Sequence, residues 1–439
     1  MRFSAFLGAA MLIGATGAAI PAEMLTIAAV DNADMLRMQE LTDDFVANNP
    51  GIHLNWVILE ESVLRQKIAT DIETHGGQFD IITIGNYEVP IWARQGLLKP
   101  LDDLGEKYDE ADLLPTIRKA ISYNGKLYAS PFYGESAMLM YRTDLFQAAG
   151  LEMPPSPTWT FVGEAALKLT DKAAGRYGIC LRGKAGWGDN MALLTAAANS
   201  FGARWFDFAW HPEFDTPEWQ RTLSFYVDLL QNAGPPGAAF YGYSENLDLF
   251  RTGKCAMWID STVAASTLSD PKTSDVVGRV GYAPFPAYGT LGNHGNWLWT
   301  WNLAIPASTT KAGPAQRFIA WATDKEYANL VAAHEGWPYA PPGTRVSLYN
   351  NPGYRSAAPF SGNTLTAIAT ANPNQPTVKP APYTGSQFVA IPEFQRIGNA
   401  VGQIFAAAVV GQMSVAEALT SANDLTLREM TRAGYVKPQ

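Results

Sequence analysis

Polar groups and aromatic rings recur together along this chain, at points where predicted strands end or loops begin. Each cluster places a carboxylate, an amide or a guanidinium beside a ring. The clusters are Asn86-Tyr87-Glu88, Tyr133-Gly134-Glu135, Arg182 with Trp187 and Asp189, Trp205 with Asp207, Trp258-Ile259-Asp260, and Asn296-Trp297-Leu298-Trp299-Thr300-Trp301. Ligands rich in hydroxyl groups need this pairing, because their hydroxyls hydrogen-bond to charged groups while their C–H faces pack on rings. The pattern favours a binding site for a carbohydrate or a polyol.

Glu135 follows a tight turn and an apolar stretch. Asn124-Gly125 favours a type I′ hairpin turn, since both residues tolerate positive φ. Pro131 cannot donate a hydrogen bond to a central strand, and Gly134 loosens the chain. Glu135 is therefore predicted to lie where one strand ends and another begins. Its carboxylate is a candidate acceptor for ligand hydroxyls, and the alternative is an ordinary exposed carboxylate.

Three tryptophans alternate along one predicted strand. With a period of two, Trp297, Trp299 and Trp301 share one face. Some of them must belong to the core, and Trp299 is our candidate for ligand contact. Trp258 lies in the middle of another apolar strand and is predicted to be a core residue.

A secreted glycoside hydrolase is the alternative function. Such an enzyme also places carboxylates among rings, with two of them about 5–10 Å apart across the scissile bond. Glu135 and Asp260 could fill these roles, but the chain lacks the eight strand–helix repeats of a barrel. Asp260 could instead cap a helix beginning near Thr262, and Arg182 could serve only to pair with Asp189.

Other reaction chemistry has no support in the sequence. The chain contains no Gly-x-Ser-x-Gly elbow and no Gly-Lys-Ser/Thr phosphate loop. Its histidines share no close metal-ligand spacing; they are His53, His75, His211, His294 and His334. We therefore expect neither a metal nor a cofactor.

Strands and helices alternate in the first hundred residues, which predicts a parallel sheet. Apolar runs predict strands at residues 25–30, 52–59 and 79–84, with helical patterns between them at 33–48 and 62–74. Ligands bind beyond the carboxyl ends of the strands in such sheets. Those ends carry Asp31-Asn32 and Gly85-Asn86-Tyr87-Glu88.

The later segments are predicted to be mostly helical. Helices are expected at residues 89–95, 143–150, 161–169, 190–201, 217–233, 314–323, 394–408 and 415–430, and strands at 256–259 and 297–305. Residues 282–286 are expected to form an extended crossover, since their prolines cannot continue a helix. Residues 339–383 are rich in Pro, Gly and Asn, so we expect them to wrap a surface without forming a core.

Composition limits the class of protein. A chain of 439 residues suits two domains better than one core, and 47% hydrophobic with 17% charged residues indicates a globular protein. The formal net charge of −9 argues against a nucleic-acid-binding surface. Cys180 and Cys255 lie in apolar, strand-like stretches and are predicted to be buried thiols, although they could pair in an oxidising compartment.

The first residues are typical of a secretory signal peptide. A single Arg2 precedes an apolar run from about Ala5 to Ile20, and small residues follow at its end. We predict a signal peptide over residues 1–22. The alternative, a membrane anchor, needs about 20 apolar residues, and no cysteine lies near the end of the segment to carry a lipid anchor.

The chain resembles extracellular solute-binding proteins of bacterial ABC importers, in the sugar-binding group that includes maltose-binding protein. Loose motifs in the expected order carry this resemblance over nearly the whole chain. They include Phe79-Asp80-Ile81-Ile82, Gln95-Gly96-Leu97-Leu98-Lys99-Pro100-Leu101-Asp102, Tyr141-Arg142-Thr143-Asp144-Leu145-Phe146, Phe250-Arg251-Thr252-Gly253-Lys254-Cys255-Ala256-Met257-Trp258 and Val280-Gly281-Tyr282-Ala283-Pro284-Phe285-Pro286. Within the family, Asp31-Asn32-Ala33-Asp34-Met35 and Gly186-Trp187-Gly188-Asp189-Asn190 are most similar to periplasmic binders of sorbitol, mannitol and related polyols.

The resemblance implies two α/β lobes, each a mixed sheet flanked by helices, joined by a hinge of several crossings. Lobe 1 would comprise residues 23–133 and about 287–340, and lobe 2 residues 134–286 and about 341–439. The candidate ligand-binding residues are Asn32, Asn86, Tyr87, Glu88, Glu135, Arg182, Trp187, Asp260, Trp299 and Trp337. In this interpretation Glu135 accepts hydrogen bonds from hydroxyls, Arg182 donates, and Trp187 and Trp299 supply apolar faces.

The implied function is capture of a small polyol or monosaccharide in the periplasm and its delivery to the permease subunits of an ABC importer. Such a protein makes or breaks no bond, and we expect a monomer. A receptor that feeds a sensor instead of a transporter would have the same fold and site.

Overall fold

The computed structural model describes residues 23–437, so the predicted signal peptide lies outside the described residues. Its strands are β1 (Glu23–Val30), β2 (Ile52–Leu59), β3 (Ile81–Gly85), β4 (Ser122–Tyr123), β5 (Lys126–Leu127), β6 (Ala129–Glu135), β7 (Ala137–Arg142), β8 (Tyr177–Cys180), β9 (Cys255–Ser261), β10 (Val280–Pro284) and β11 (Trp299–Ala304).

The helices lie mostly where the patterns predict them. They are α1 (Ala33–Glu40), α2 (Thr42–Asn48), α3 (Glu61–Thr74), α4 (Glu88–Arg94), α5 (Pro115–Ala120), α6 (Thr143–Ala148), α7 (Trp159–Leu169), α8 (Asn190–Ser200), α9 (Pro217–Ala233), α10 (Tyr243–Arg251), α11 (Ala264–Ser269), α12 (Ala312–Thr323), α13 (Lys325–His334), α14 (Val346–Asn350), α15 (Pro352–Ala357), α16 (Ser361–Thr370), α17 (Phe394–Val409) and α18 (Val415–Arg432). Single 3-10 turns occur at Glu106–Tyr108, Glu110–Asp112, Ala238–Phe240 and Trp337–Tyr339. No helix within residues 23–437 is both long and apolar enough to span a bilayer.

The first lobe is built on a five-stranded sheet in the order β2-β1-β3-β11-β6. Its first three strands are parallel, as the alternation of strands and helices predicts, and β11 runs antiparallel to both β3 and β6. Every residue of β3 is buried, as expected for a strand that is covered on both faces of the sheet. Helices α3 and α12 pack against β1.

The second lobe is built on a four-stranded sheet in the order β10-β7-β9-β8. Strand β7 runs antiparallel to β9 and β10, whereas β8 is parallel to β9. Helices α7, α9 and α10 cover this sheet. Each lobe is therefore a mixed sheet flanked by helices, which confirms the predicted fold class.

Strands β6 and β7 carry the chain directly from one sheet to the other. Glu135 ends β6 and Ala137 begins β7, so Ser136 alone separates the two. The Gly134 amide donates to the carbonyl oxygen of Pro342 at 2.8 Å, which brings a second crossing segment alongside. A side chain on Gly134 would collide with the carbonyl oxygen of Gly343, so this close approach requires glycine.

The segment after β10 packs on the second lobe before it enters the first sheet at β11. The ring of Tyr288 stacks on that of Phe201 with 4.2 Å between centroids. The amide nitrogen of Asn293 donates to the carbonyl oxygen of Asn199 at 3.0 Å. The residue boundaries of the two lobes remain a prediction.

The prediction that residues 339–383 form no core is wrong. They contain α14, α15 and α16, and Leu348, Tyr354 and Ile368 belong to a buried cluster. The polar residues and prolines that suggested a loop mark helix ends instead. Asn351 accepts hydrogen bonds from the backbone amides of Gly353 and Tyr354, and Pro352 begins α15.

The prediction of two buried thiols is also wrong. Cys180 and Cys255 form a disulfide, with their Cα atoms 5.9 Å apart and a sequence separation of 75. The bond joins the end of β8 to the beginning of β9, which are neighbouring strands. Both strands are apolar enough to bury free thiols, and the local sequence does not show that the two strands are neighbours in the sheet.

Candidate functional site

A cleft of about 1100 Å³ lies between the two lobes, and side chains from both line it. Five of the ten candidate residues line this cleft: Asn32, Glu135, Arg182, Trp187 and Trp299. The carboxyl ends of β1 and β6 provide Asn32 and Glu135. The cleft therefore begins where ligands of α/β sheets are expected, beyond the ends of strands.

Glu135 is a buried carboxylate at the crossing between the lobes. It is 8% exposed and lines the cleft, so it is not an ordinary exposed carboxylate. Its Oε2 accepts a hydrogen bond of 2.5 Å from the hydroxyl of Ser261. Burial raises the pKa of Glu135 from its ordinary 4.5 to about 8, against the opposing effects of Ser261 and Arg182.

Arg182 and Asp260 form a bidentate pair in the floor of the cleft. Nε and Nη2 of Arg182 donate to the two carboxylate oxygens at 2.9 and 2.6 Å. The Trp258 indole and the Ser261 amide also donate to Asp260, which is fully buried and does not line the cleft. Asp260 therefore holds Arg182, while Arg182 itself faces the cleft.

The structure decides the alternatives that the sequence left open for Arg182 and Asp260. Arg182 pairs with Asp260 and not with Asp189, whose nearest cation is Lys184 at 3.8 Å. Burial raises the pKa of Asp189 to about 6. Asp260 does not cap a helix, because α11 begins at Ala264 without a side-chain cap. Trp258 is fully buried, as predicted for a core residue.

Trp187 extends from the loop between β8 and α8 and is fixed by α17. Its backbone amide donates to Oδ1 of Asn399 at 2.9 Å. Gly398 allows this approach, because a Cβ there would lie 2.7 Å from the Cβ of Trp187. The Trp187 ring lies 5.7 Å from that of Trp299, edge to face, so the second lobe meets the tryptophans of the first.

The three tryptophans of residues 297–301 all line the cleft and are nearly fully buried. The rings of Trp299 and Trp301 lie 5.5 Å apart. A side chain at Gly85 would overlap the ring of Trp299, which therefore packs over the end of β3. Trp299 and Trp301 alternate along β11 and direct their rings to one face, as the period of two predicts, whereas Trp297 precedes the strand.

Asn32 lines the cleft while it also caps a helix. Its Oδ1 accepts from the Met35 amide at 2.9 Å and so begins α1. Its side-chain nitrogen donates to the hydroxyl of Tyr133 at 3.3 Å. A ligand would meet a pre-oriented amide there.

Asn86, Tyr87 and Glu88 do not line the cleft. The side chain of Asn86 accepts a hydrogen bond from the Thr300 amide in β11 and donates one to the Leu298 carbonyl oxygen just before that strand. The hydroxyl of Tyr87 donates to the carbonyl oxygen of Ile391 at 2.6 Å. These residues support the walls of the cleft from behind.

Trp337 lies away from the cleft. It lines a separate cavity of about 190 Å³ beside α12 and α13, and its ring packs on Gly353. Its neighbours in the 3-10 turn, Pro338 and Tyr339, are the residues that reach the cleft. The sequence located this segment near the site but selected the wrong ring.

The charge of the cleft is predominantly negative. Ten acidic and five basic side chains line it. No cluster of three or more His, Cys, Asp or Glu side chains suited to a metal is found within residues 23–437. The cleft thus combines indole faces, a buried carboxylate and a tethered guanidinium.

Residues 29–329 match the family of bacterial extracellular solute-binding proteins. This chain belongs to that family. Members of it are solute-binding proteins of ABC transporters, so the protein is a binding protein and not an enzyme. The alternative of a glycoside hydrolase is wrong, and Asp260, sequestered by Arg182, could not act as one of its two carboxylates. The family also implies a location outside the cytoplasm.

Individual relatives of this solute-binding protein align with it over almost the whole chain. It is 52% identical to a mannitol-binding protein of Pseudomonas aeruginosa over 95% of both chains. A solute-binding protein from Agrobacterium vitis S4, solved with bound D-mannitol, is 61% identical, with a TM-score of 0.93 over 94% of this chain and 99% of that one. A solute-binding protein from Agrobacterium radiobacter K84, solved with ribitol, is 25% identical, with a TM-score of 0.82 over 93% and 99%. The two-lobed periplasmic-binding-protein fold is therefore confirmed.

Sequence analysis missed several residues of the cleft of this solute-binding protein. Arg65 and Glu61 lie on the first turns of α3, and Tyr243 begins α10. Arg65 is 8% exposed and lies on the helical face that also buries Leu64 and Ile68. The one available signal was this arginine among the apolar positions of a helix.

Proposed function

We propose that this protein captures a hexitol of the D-mannitol type and delivers it to the permease of an ABC importer. The observation that carries the proposal is the relative with bound D-mannitol, which shares 61% identity and nearly the whole fold. The chemistry of the cleft supports it, since rings and charged hydrogen-bond partners suit a small neutral polyol.

In this proposal each cleft residue has one role. Glu135 accepts hydrogen bonds from ligand hydroxyls, and Arg182 donates through the N–H groups that Asp260 leaves free. Trp187 and Trp299 pack on the carbon chain from opposite lobes. Asn32 adds an amide, whereas Asn86, Tyr87 and Glu88 act only as supports and Trp337 takes no part.

Binding would proceed by closure of the two lobes. The chain crosses between the lobes at Ser136, in the segment between β10 and β11, and near Gly343. When the lobes close, ligand contacts from both lobes shift the open–closed equilibrium towards the closed state. We further propose that residues 1–22 direct export to the periplasm, and that the mature protein works as a monomer without nucleic acid.

Calorimetric titration with D-mannitol, sorbitol, D-arabitol, ribitol and maltose tests the proposal. We expect saturable one-to-one binding of D-mannitol, weaker binding of the pentitols, and none of maltose. The Trp299→Leu variant should bind D-mannitol at least about tenfold more weakly, because it loses a ring face. Saturable binding of maltose without any alditol binding would overturn the proposal.

A further inference from the structure

The guanidinium of Arg65 lies in a box of indole rings that both lobes contribute. Its central carbon lies 4.4 Å from the ring centroid of Trp187, 5.0 Å from that of Trp299 and 4.7 Å from that of Trp301. Trp187 belongs to the second lobe, and the other two rings belong to the first. A cation within about 6 Å of an indole is attracted by the ring. Arg65 therefore attracts rings on both sides of the cleft.

Two carboxylates hold this guanidinium from behind. Nη2 and Nε donate to Glu61 at 2.8 and 3.0 Å, and Nη1 donates to Glu88 at 2.7 Å. Burial alone would lower the pKa of Arg65, but attraction to Glu61 and Glu88 raises it. Because the guanidinium is a planar fork, these bonds fix its orientation.

The loop that carries Trp187 also contacts the beginning of α3 at two other points. Nζ of Lys184 lies 3.6 Å from a carboxylate oxygen of Glu60. A Cβ on Gly188 would lie 2.8 Å from Oε1 of Glu61, so the loop backbone approaches α3 closely. This α3–loop contact is the place where the second lobe docks on the first beside the cleft.

The same loop is tied to the floor of the cleft. Nη1 of Arg182 donates to the carbonyl oxygen of Gly188 at 2.7 Å. Because Gly188 follows Trp187 directly, a displacement of Arg182 would also displace the loop that holds Trp187 against Arg65.

We propose that Arg65 is the positioning residue that couples occupancy of the cleft to closure of the lobes. Opening would separate Arg65 from Trp187 but leave it against Trp299 and Trp301, which belong to its own lobe. Ligand that contacts both lobes in the cleft keeps Trp187 beside Trp299, and so keeps the box complete. Arg65 then favours the closed state and slows ligand release. This inference rests on the proposed polyol-binding function.

The variants must separate closure from folding. Arg65→Met leaves Glu88, which is 5% exposed, without its cation, and such a loss is strongly destabilising. Arg65→Met/Glu88→Gln removes both charges and avoids this penalty. Arg65→Lys keeps a cation for the rings without the planar fork. Lys67→Met is the matched control, because Lys67 is an exposed cation on the same helix that does not line the cleft.

The measurements are D-mannitol affinity by calorimetry and dissociation rate by stopped-flow tryptophan fluorescence. Lys67→Met should match the wild type. Arg65→Met/Glu88→Gln should bind at least tenfold more weakly, chiefly through faster dissociation, and Arg65→Lys should lie between the two. Trp187→Leu should weaken binding less in the Arg65→Met/Glu88→Gln background than in the wild type, because residues that act together are not additive.

Two results would overturn the role of Arg65 while the proposed function stands. One is a wild-type dissociation rate in Arg65→Met/Glu88→Gln, and the other is an equal effect of Trp187→Leu in both backgrounds. If the wild-type protein binds no alditol at all, the proposed function itself fails and the role of Arg65 fails with it.

Discussion

Oε2 of Glu135 accepts a hydrogen bond of 2.5 Å from the hydroxyl of Ser261, and this bond ties the last residue of β6 to the last residue of β9. The two strands belong to different sheets. The buried carboxylate therefore lies at a joint between the lobes, in the wall of the cleft. In the proposed site, its proton and the ligand hydroxyls compete for the same oxygen atoms.

Replacement of Glu135 should change how stability depends on pH. The pKa of Glu135 is about 8 in the folded protein, compared with 4.5 ordinarily, so between these values the folded protein keeps a proton that the unfolded chain releases. The free energy of unfolding then falls as pH rises from about 5 to 8. The Glu135→Gln variant has no such titration, so its free energy of unfolding should exceed that of the wild type by about 1–4 kcal/mol at pH 8. At pH 5 the two free energies should be nearly equal. Urea unfolding at pH 5 and pH 8 measures these free energies. If the free energy of unfolding changes equally with pH in the variant and the wild type, the prediction is wrong.

The Arg182–Asp260 pair should be essential to the stability of the second lobe. Asp260→Asn leaves a buried guanidinium without its counter-charge, which costs about 3–5 kcal/mol. Asp102→Asn is the matched control, because its ion pair with Lys126 is more than half exposed and should cost less than about 1 kcal/mol. Denaturant unfolding compares the two variants. Similar losses would mean that burial does not set the strength of the pair.

The disulfide should contribute to stability through a long closed loop. Cys180→Ser/Cys255→Ser should lose about 2–4 kcal/mol of unfolding free energy. Dithiothreitol should lower the melting temperature of the wild type and leave that of the double variant unchanged. If dithiothreitol leaves the melting temperature of the wild type unchanged, and both cysteines of the unfolded wild type react as free thiols, the disulfide does not form.

The cleft should discriminate against anionic ligands. Besides Glu135, which keeps its proton near neutral pH, nine acidic side chains line the cleft against five basic ones, so a carboxylate on the ligand meets repulsion of about 1–4 kcal/mol. D-mannonate should bind at least about tenfold more weakly than D-mannitol. Competition calorimetry measures the ratio, and 0.5 M salt should narrow it, because screening weakens charge repulsion between partly exposed groups. Equal affinities would contradict this electrostatic selection.

Local patterns predicted most of the fold. The alternation of apolar strands and helices gave the parallel start of the first sheet. Asn124 and Gly125 both have positive φ, as the type I′ turn requires. Pro131 nevertheless lies inside β6, because that strand is at the sheet edge, where a missing amide donor is tolerated. Edge position depends on sheet order, which no local pattern reveals.

The candidate site was harder to predict because position relative to the cleft is a tertiary property. Glu88 and Asp260 have the residue type and strand-end location of ligand contacts. Both instead hold arginines, Arg65 and Arg182, that face the cleft. Sequence could identify the chemistry of these clusters but not which member of each pair points inward.

A crystal structure of the protein with D-mannitol tests the central claim most directly. We expect the alditol in the cleft, with hydroxyls within hydrogen-bond distance of Glu135 and Arg182 and its carbon chain against Trp187 and Trp299. Density for the ligand in the cavity beside Trp337, or in the cleft without contact to Glu135 and Arg182, would contradict the proposed site.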